Sequence, residues 1–332
     1  MANEIPHRKN RLGPLLLGCL VSGFFLFLLL GKLDLSDVWR EIGQVHPGRL
    51  VLALVPGFFG FLAMAGRSAT LFQPLVRLPF PTLFKSVLVS YAGNNVLPFR
   101  MGELLRVDYL ARQGQVPHSS CLAILAVERL LDVVCLVALF FGLATLVVNL
   151  PSIPALALLA GGVGTALVVL FLVGRDPKRW IGYLGRVTAF LPSSMSDWLI
   201  HQASRFAAGL AVLGSPKRML GAASFSVGYW FSMMAGVLLI LWAFDLTLPW
   251  YAPAVVLVFV TFGGMLPSTP AFVGTFHYFS SLALTFLGVD PTLAASFAIV
   301  QHAAGVVPWT LFSFAVLFGD YLRGDLVWRR RA

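Results

Sequence analysis

Eight ionisable side chains crowd two short segments of an otherwise apolar chain. Arg100, Glu103, Arg106, Asp108 and Arg112 follow Pro98, and Glu128, Arg129 and Asp132 stand at the head of the apolar run 133–150. A charge inside hydrocarbon is costly, so such residues persist where they pair with one another or hold a polar ligand. Arginine grips phosphate through a planar fork of N–H donors, which makes Arg100, Arg106 and Arg129 candidate phosphate ligands, with Asn94 and Asn95 as amide donors beside them. Glu128 and Asp132 lie one helical turn apart, a repulsive spacing unless a cation or a shared proton sits between them. Arg100 or Arg106 is the natural partner, and Glu103, Glu128 and Asp132 read as groups that order the arginines or exchange a proton. A plainer reading stays open: Arg106, Asp108 and Arg112 have helical spacing and could form a solvated face, with Asp108 pairing Arg112.

The charges sit beside a break in the chain, and that break has a counterpart. Leu97-Pro98-Phe99-Arg100-Met101-Gly102 and Thr269-Pro270-Ala271-Phe272-Val273-Gly274 share a Pro-x3-Gly turn after an apolar half-segment. Pro98, Gly102, Pro270 and Gly274 are therefore the expected helix-break residues. Paired interruptions at corresponding positions of two halves are the pattern left by membrane transporters with internal repeats. Helix N-termini meeting at such breaks would offer free N–H groups and positive dipole ends to an anion. His277 follows the second break and is a candidate proton-exchanging group, whereas His302, beside Gln301, reads as a hydrogen-bonded structural histidine.

The elements that position these residues are membrane helices. The 332 residues are 58% hydrophobic and 11% charged, with mean hydropathy +0.85, far from the roughly one-quarter charged residues of soluble domains. A soluble enzyme, a disordered chain and a coiled coil are excluded. The net charge of +10 falls in short basic clusters beside apolar runs, which reads as membrane topology rather than nucleic-acid binding. Cys19, Cys121 and Cys135 lie in apolar stretches without metal-ligand spacing and read as small buried hydrophobes. Neither a metal, an organic cofactor nor a nucleotide motif is indicated.

A helix needs about 20 apolar residues to cross the bilayer, and 12–31, 50–72, 133–150, 155–174 and 219–244 qualify. The run 12–31 is too long for a signal-peptide core and reads as an uncleaved first span. Residues 251–268, 272–289 and 293–318 are apolar but contain or abut Pro267, Pro270, Pro291 and Pro308, so broken or short helices are expected there, over about 251–291 in particular. Basic residues place the N-terminal cluster His7–Arg11, Arg67, Arg77, the group from Arg175 to Arg218 and the tail Arg329–Arg331 in the cytoplasm. The loops 149–154 and 245–249, which lack Lys and Arg, then lie outside, as does the amphipathic stretch 32–49. Returning the chain to the inside requires 82–118 either to cross twice or to dip in and return, and its short, interrupted apolar part fits a re-entrant hairpin better; Met195, Trp198, Leu199, Gln202, Phe206, Leu210 and Leu213 mark an interfacial helix over 195–213. Tyr229, Trp230, Trp250 and Tyr251 read as interface aromatics.

The fold expected is thus an all-α polytopic membrane bundle in one transmembrane domain, 1–332, with about seven spans, one or two re-entrant hairpins and two loosely similar halves. Asn95-x-x-Pro98-x-Arg100-x-Gly102-Glu103-x-x-Arg106, followed by Glu128-Arg129-x-x-Asp132, resembles the flippase-like family that includes the transmembrane region of lysylphosphatidylglycerol synthase, the multiple peptide resistance factor. In the second break His277 stands where that family usually has a glutamate. The resemblance implies translocation of an anionic or modified lipid headgroup across the bacterial cytoplasmic membrane, with membrane lipids as partners, and does not imply lysyl transfer; the basic residues put both termini in the cytoplasm. Two rivals remain: a membrane-embedded enzyme using Glu128 and Asp132 on a headgroup, and a non-catalytic partner of a lipid or polysaccharide synthase.

Overall fold

The computed structural model describes residues 12–31, 33–144, 176–266 and 269–323, with isolated positions at 162, 165, 169, 172 and 173. All regular structure among them is helical. Helices α1 (Leu12–Leu30), α2 (Leu35–Gly43), α3 (Pro47–Leu52) and α4 (Leu54–Phe72) lead to a hairpin of α5 (Phe80–Val96) and α6 (Met101–Gly114). Then follow α7 (His118–Ala144), α8 (Pro177–Val187), α9 (Ser193–Gly209), α10 (Pro216–Ala243), α11 (Ala252–Gly263), α12 (Thr275–Phe286) and α13 (Pro291–Arg323). Pro47–Phe72, Pro216–Ala243 and Pro291–Asp320 are each long and apolar enough to cross a bilayer unaided. The protein is a multi-pass helical membrane bundle. Most of the span 155–174, the loop 149–154, Pro267 and both terminal basic clusters lie outside the described residues.

The closest helix pairing is α4 against α10, and it depends on small residues. A Cβ on Gly60 would stand 2.9 Å from the Ser232 hydroxyl, and one on Gly66 would stand 2.5 Å from the Phe225 ring. Lipid offers no hydrophobic incentive for helices to associate, so close approach at glycines supplies the packing. The buried apolar residues form two clusters, one on α4–α7 with the start of α10, the other on α10–α13 with the end of α7. On α7 the first ends at Leu131 and the second begins at Leu136. Large apolar side chains outside both, among them Leu20, Phe27, Phe231 and Leu311, are exposed, as lipid-facing residues should be.

Three sequence expectations need correction here. Arg67 is not a cytoplasmic loop residue: it lies inside α4, buried. Pro308 does not cut its segment, because α13 runs from Pro291 to Arg323 through it. Side chains of α5 brace that turn, the Tyr91 hydroxyl donating to the Gly305 carbonyl and the Asn95 amide to Thr310 Oγ1 at 2.7 Å. Cys19 is exposed on α1, whereas Cys121 is buried and Cys135 partly so. The short helices expected around 251–291 are present as α11 and α12, and Pro291 opens α13 rather than interrupting it, a position where its missing N–H costs nothing.

At the end of the bundle opposite the α4–α5 turn, His46 and Arg49 of α3 both bond Asp245, with His46 Nε2 2.8 Å away, and Arg49 stacks on Trp242 at 4.4 Å. Arg49, and after it His46, hold the Asp245 carboxyl below its ordinary range. A depressed folded-state value stabilises above the unfolded value and is lost as pH falls through the folded one. Amide-exchange protection of residues 46–52, corrected for intrinsic rates, is therefore expected to weaken below about pH 4, and Asp245→Asn should reproduce the loss at pH 7.

Candidate functional site

The acidic pair on α7 does have a cation between its members, and it is Arg67. Its Nη2 lies 3.6 Å from Glu128 Oε2, and its Nη1 bonds Asp132 Oδ1 and the Ser226 hydroxyl, the latter at 3.1 Å. On the other side of Glu128, Arg106 Nη1 stands 2.9 Å from Oε2, while Arg106 Nη2 donates to Ser68 Oγ at 2.6 Å and Ser68 Oγ donates to Glu128 Oε1 at 2.5 Å. Arg106 Nε reaches Ser86 Oγ at 3.4 Å. Beyond Asp132, Arg129 Nη1 lies 3.3 Å from Oδ2, and Arg129 Nη2 lies 3.7 Å from Glu103 Oε1. Three guanidinium groups thus alternate with three carboxylates across α4, α6 and α7.

This order divides the sequence candidates by accessibility. Arg67, Arg106 and Glu128 have side chains 1%, 0% and 0% exposed. Buried charges are tolerated when every one is paired and hydrogen-bonded, and Arg106 uses its donors on Glu128, Ser68 and Ser86. The solvated-face reading therefore fails for Arg106. It holds for Asp108, whose carboxylate accepts from Arg112 Nε at 2.9 Å and bonds His118 at 3.0 Å on the outside of α6. Arg129, 44% exposed, and Arg100 are the accessible arginines. Arg100 is not the partner of the acidic pair: among the described residues it makes no ion pair within 4.0 Å, and its Nη2 donates to the Gly264 carbonyl at 2.9 Å.

The two breaks meet. Pro98–Arg100 and Pro270–Phe272 are both single 3₁₀ turns, and they touch, with the Arg100 guanidinium 4.9 Å over the Phe272 ring. Arg100, Ala271 and Phe272 adopt φ of 54°, 55° and 59°, a left-handed conformation that non-glycine residues avoid unless the surroundings enforce it. Gly274 has φ 92°, and a Cβ there would lie 2.3 Å from the Ser22 carbonyl of α1. The Ser22 hydroxyl also bonds Thr269 at 3.0 Å, so α1 clamps the second break. Each break opens a helix, α6 or α12, whose N-terminus carries unsatisfied N–H groups. Asn94 Oδ1 and Glu103 Oε2 are buried there without hydrogen-bond partners among the described residues.

Two residues of the site were not legible as such. Arg67 had its signal in the span 50–72 itself, which contains it. Tyr229 lies on α10 within electrostatic reach of Arg100, Arg129, Glu103 and Asp132, and its ring packs near Gly60, so it lines the polar interior rather than an interface belt. Trp230, also read as a belt residue, packs on the second core cluster. Trp250 remains exposed. Asn95 holds α5 to α13 through Thr310. His277 is buried and its Nδ1 accepts the Gly274 N–H at 3.2 Å, while His302 Nε2 donates to the Ala271 carbonyl at 2.7 Å, so both rings, 4.4 Å apart, brace the second break. His302 is thus the structural histidine its sequence context suggested. No metal-binding group of three or more His, Cys, Asp or Glu residues occurs among the described residues.

The fold and the site together are those of a multi-pass helical membrane protein with a buried alternating charge chain and two meeting helix breaks. The chain belongs to the lysylphosphatidylglycerol synthase TM region family, whose family model matches residues 15–313, and is a membrane protein of that lipid-handling class. No curated protein matches it.

Proposed function

We propose that the protein moves the phosphate-bearing headgroup of an anionic or modified membrane lipid between leaflets, and does no covalent chemistry on it. The observation that carries this reading is Arg100: an exposed guanidinium without a carboxylate partner, held where two helix N-termini and two breaks converge. Arg129, half-exposed between Asp132 and Glu103 of the charge chain, is the second headgroup ligand, and Tyr229 lines the same interior. Arg106 acts at one remove, because its donors are already used; it and Arg67 fix Glu128 and Asp132, which in turn hold Arg129. The acyl chains stay in lipid beside the exposed apolar faces. Arg77, Arg112, Lys217 and Arg218 gather where the chain turns between α4 and α5, between α6 and α7 and into α10, which supports a cytoplasmic orientation of that end.

Liposomes containing the purified protein and fluorescent phosphatidylglycerol, bleached by a membrane-impermeant reductant, test this. Wild type should accelerate loss of the inner-leaflet label, Arg100→Ala should abolish the acceleration, and Arg129→Ala should reduce it about tenfold or more, the loss of one charge-assisted contact. No acceleration by folded wild-type protein for any headgroup would overturn the proposal.

A further inference from the structure

Helix α8 is the one element of more than eight described residues without a fully buried side chain. None of its residues is buried, whereas Trp180, Tyr183 and Val187, together with Phe190 just beyond it, are exposed. At 100° per residue Trp180, Tyr183, Leu184 and Val187 share one side, and Lys178, Gly182, Gly185 and Arg186 the other, with Arg179 at the border beside Tyr183. The edge carrying Ile181, Leu184 and Gly185 is partly buried, and there Gly185 comes near Ile200 of α9. The interfacial helix expected at 195–213 is differently placed: α9 packs its C-terminal half on α7, Gly209 coming within 2.5 Å of the Ser120 carbonyl if given a Cβ, although Met195 and Trp198 stay exposed.

The charges of α8 are all of one sign. Lys178, Arg179 and Arg186 carry no acidic neighbour on the helix, and Asp176, the N-cap, accepts the Arg179 N–H at 3.2 Å and so serves the helix N-terminus. Arg179 and Arg186 flank the Tyr183 ring at 5.8 and 5.7 Å. Between α8 and Leu172 lies an open cleft of about 670 Å³ lined by Leu172, Asp176, Arg179, Trp180 and Tyr183. The helix belongs to the basic end of the bundle, since α9 ties it to the first turns of α7 through the Ser120–Arg205 contact. At the opposite end Arg40 and Arg49 are each paired with an aspartate.

We infer that α8 is a second lipid site, a docking surface that takes the headgroups of anionic phospholipids on Lys178, Arg179 and Arg186 while Trp180, Tyr183 and Val187 enter the acyl boundary. An exposed apolar edge running beside an unopposed cationic edge matches a lipid interface, in which hydrocarbon and anionic phosphate lie side by side. The site is separate from the breaks and does not need their function: it would stand if Arg100 moved nothing.

The test uses the full chain in a neutral detergent with added phosphatidylglycerol or phosphatidylcholine, reading the melting temperature, and glycerol phosphate as a soluble control. Phosphatidylglycerol should raise the melting temperature of wild type above the value in phosphatidylcholine, and glycerol phosphate should not. In K178Q/R179Q/R186Q the apparent affinity for phosphatidylglycerol should fall roughly 100-fold, each cation near a lipid surface contributing a few-fold. Arg40→Gln, at the opposite end of the bundle, should keep the wild-type response, and the triple variant should keep its melting temperature in phosphatidylcholine, which shows that it folds. Retention of the full response in the triple variant, its loss in Arg40→Gln alone, an equal response to both lipids, or an equal response to glycerol phosphate would each overturn the assignment.

Discussion

Glu128→Gln is expected to destabilise the protein by about 3–5 kcal/mol, the usual loss when one member of a buried ion pair is removed and its partner is left charged. The expectation is at the upper end because two guanidinium groups, Arg106 and Arg67, lose their shared carboxylate at once, in a place where both are within 1% of complete burial. Ser68 would lose its acceptor as well. Replacing Glu128 and Arg106 together by leucine should cost less than the sum of the single changes, since the double variant leaves fewer unpaired charges. Thermal melts of the four proteins in one detergent give the cycle. A loss below about 1 kcal/mol for Glu128→Gln would mean that the network contributes little, as exposed pairs do.

Gly102→Ala is expected to be strongly destabilising. The added Cβ would meet the Ser90 carbonyl at 2.1 Å, the Asn94 N–H at 2.5 Å and Asn94 Oδ1 at 2.7 Å. Two of these atoms are backbone of α5, so no side-chain rotation relieves the contact, and the hairpin must open. Gly93 makes the reciprocal approach, its Cβ position lying 2.6 Å from Gly102 Cα. Overpacking of this kind costs typically 1–3 kcal/mol, and more when backbone must move. Here it also displaces Arg100 and Glu103, which flank the glycine, so transport should fall even where the protein still folds. Gly228→Ala on α10, with nothing within 4 Å, is the control and should be neutral or stabilising by up to about 1 kcal/mol. Equal behaviour of the two variants would contradict the close packing of α5 on α6.

What could be read in the sequence follows what one chain segment can reveal about itself. Apolar runs and their lengths gave α1, α4, α7 and α10, and the prolines gave the short helices α11 and α12. The Pro-x3-Gly pair gave both breaks, because the turn is encoded locally by Pro98, Gly102, Pro270 and Gly274. That the breaks touch is a tertiary fact, visible only once α5 and α12 are placed together. Glu128 and Asp132 announced the need for a cation through their spacing, but which cation fills the gap depends on how α4 crosses α7. Counting Arg67 as a topology marker hid it, although its place within an apolar span was the clue. Pro308 misled for the complementary reason: Tyr91 and Asn95 of α5 support a helical turn that the local sequence alone would end. Tyr229 looked like an interface aromatic because sequence cannot say which side of α10 faces inward.

The central claim is that a lipid headgroup sits where the two breaks meet, on Arg100 and Arg129. A phosphatidylglycerol analogue carrying a photoreactive group on its headgroup, activated in proteoliposomes and mapped by peptide mass spectrometry, addresses it directly. Crosslinks to residues 97–103 and 269–274, lost in Arg100→Ala and undiminished in K178Q/R179Q/R186Q, are the predicted result. Crosslinks confined to α8 and the outer surface, unchanged by Arg100→Ala, would contradict it.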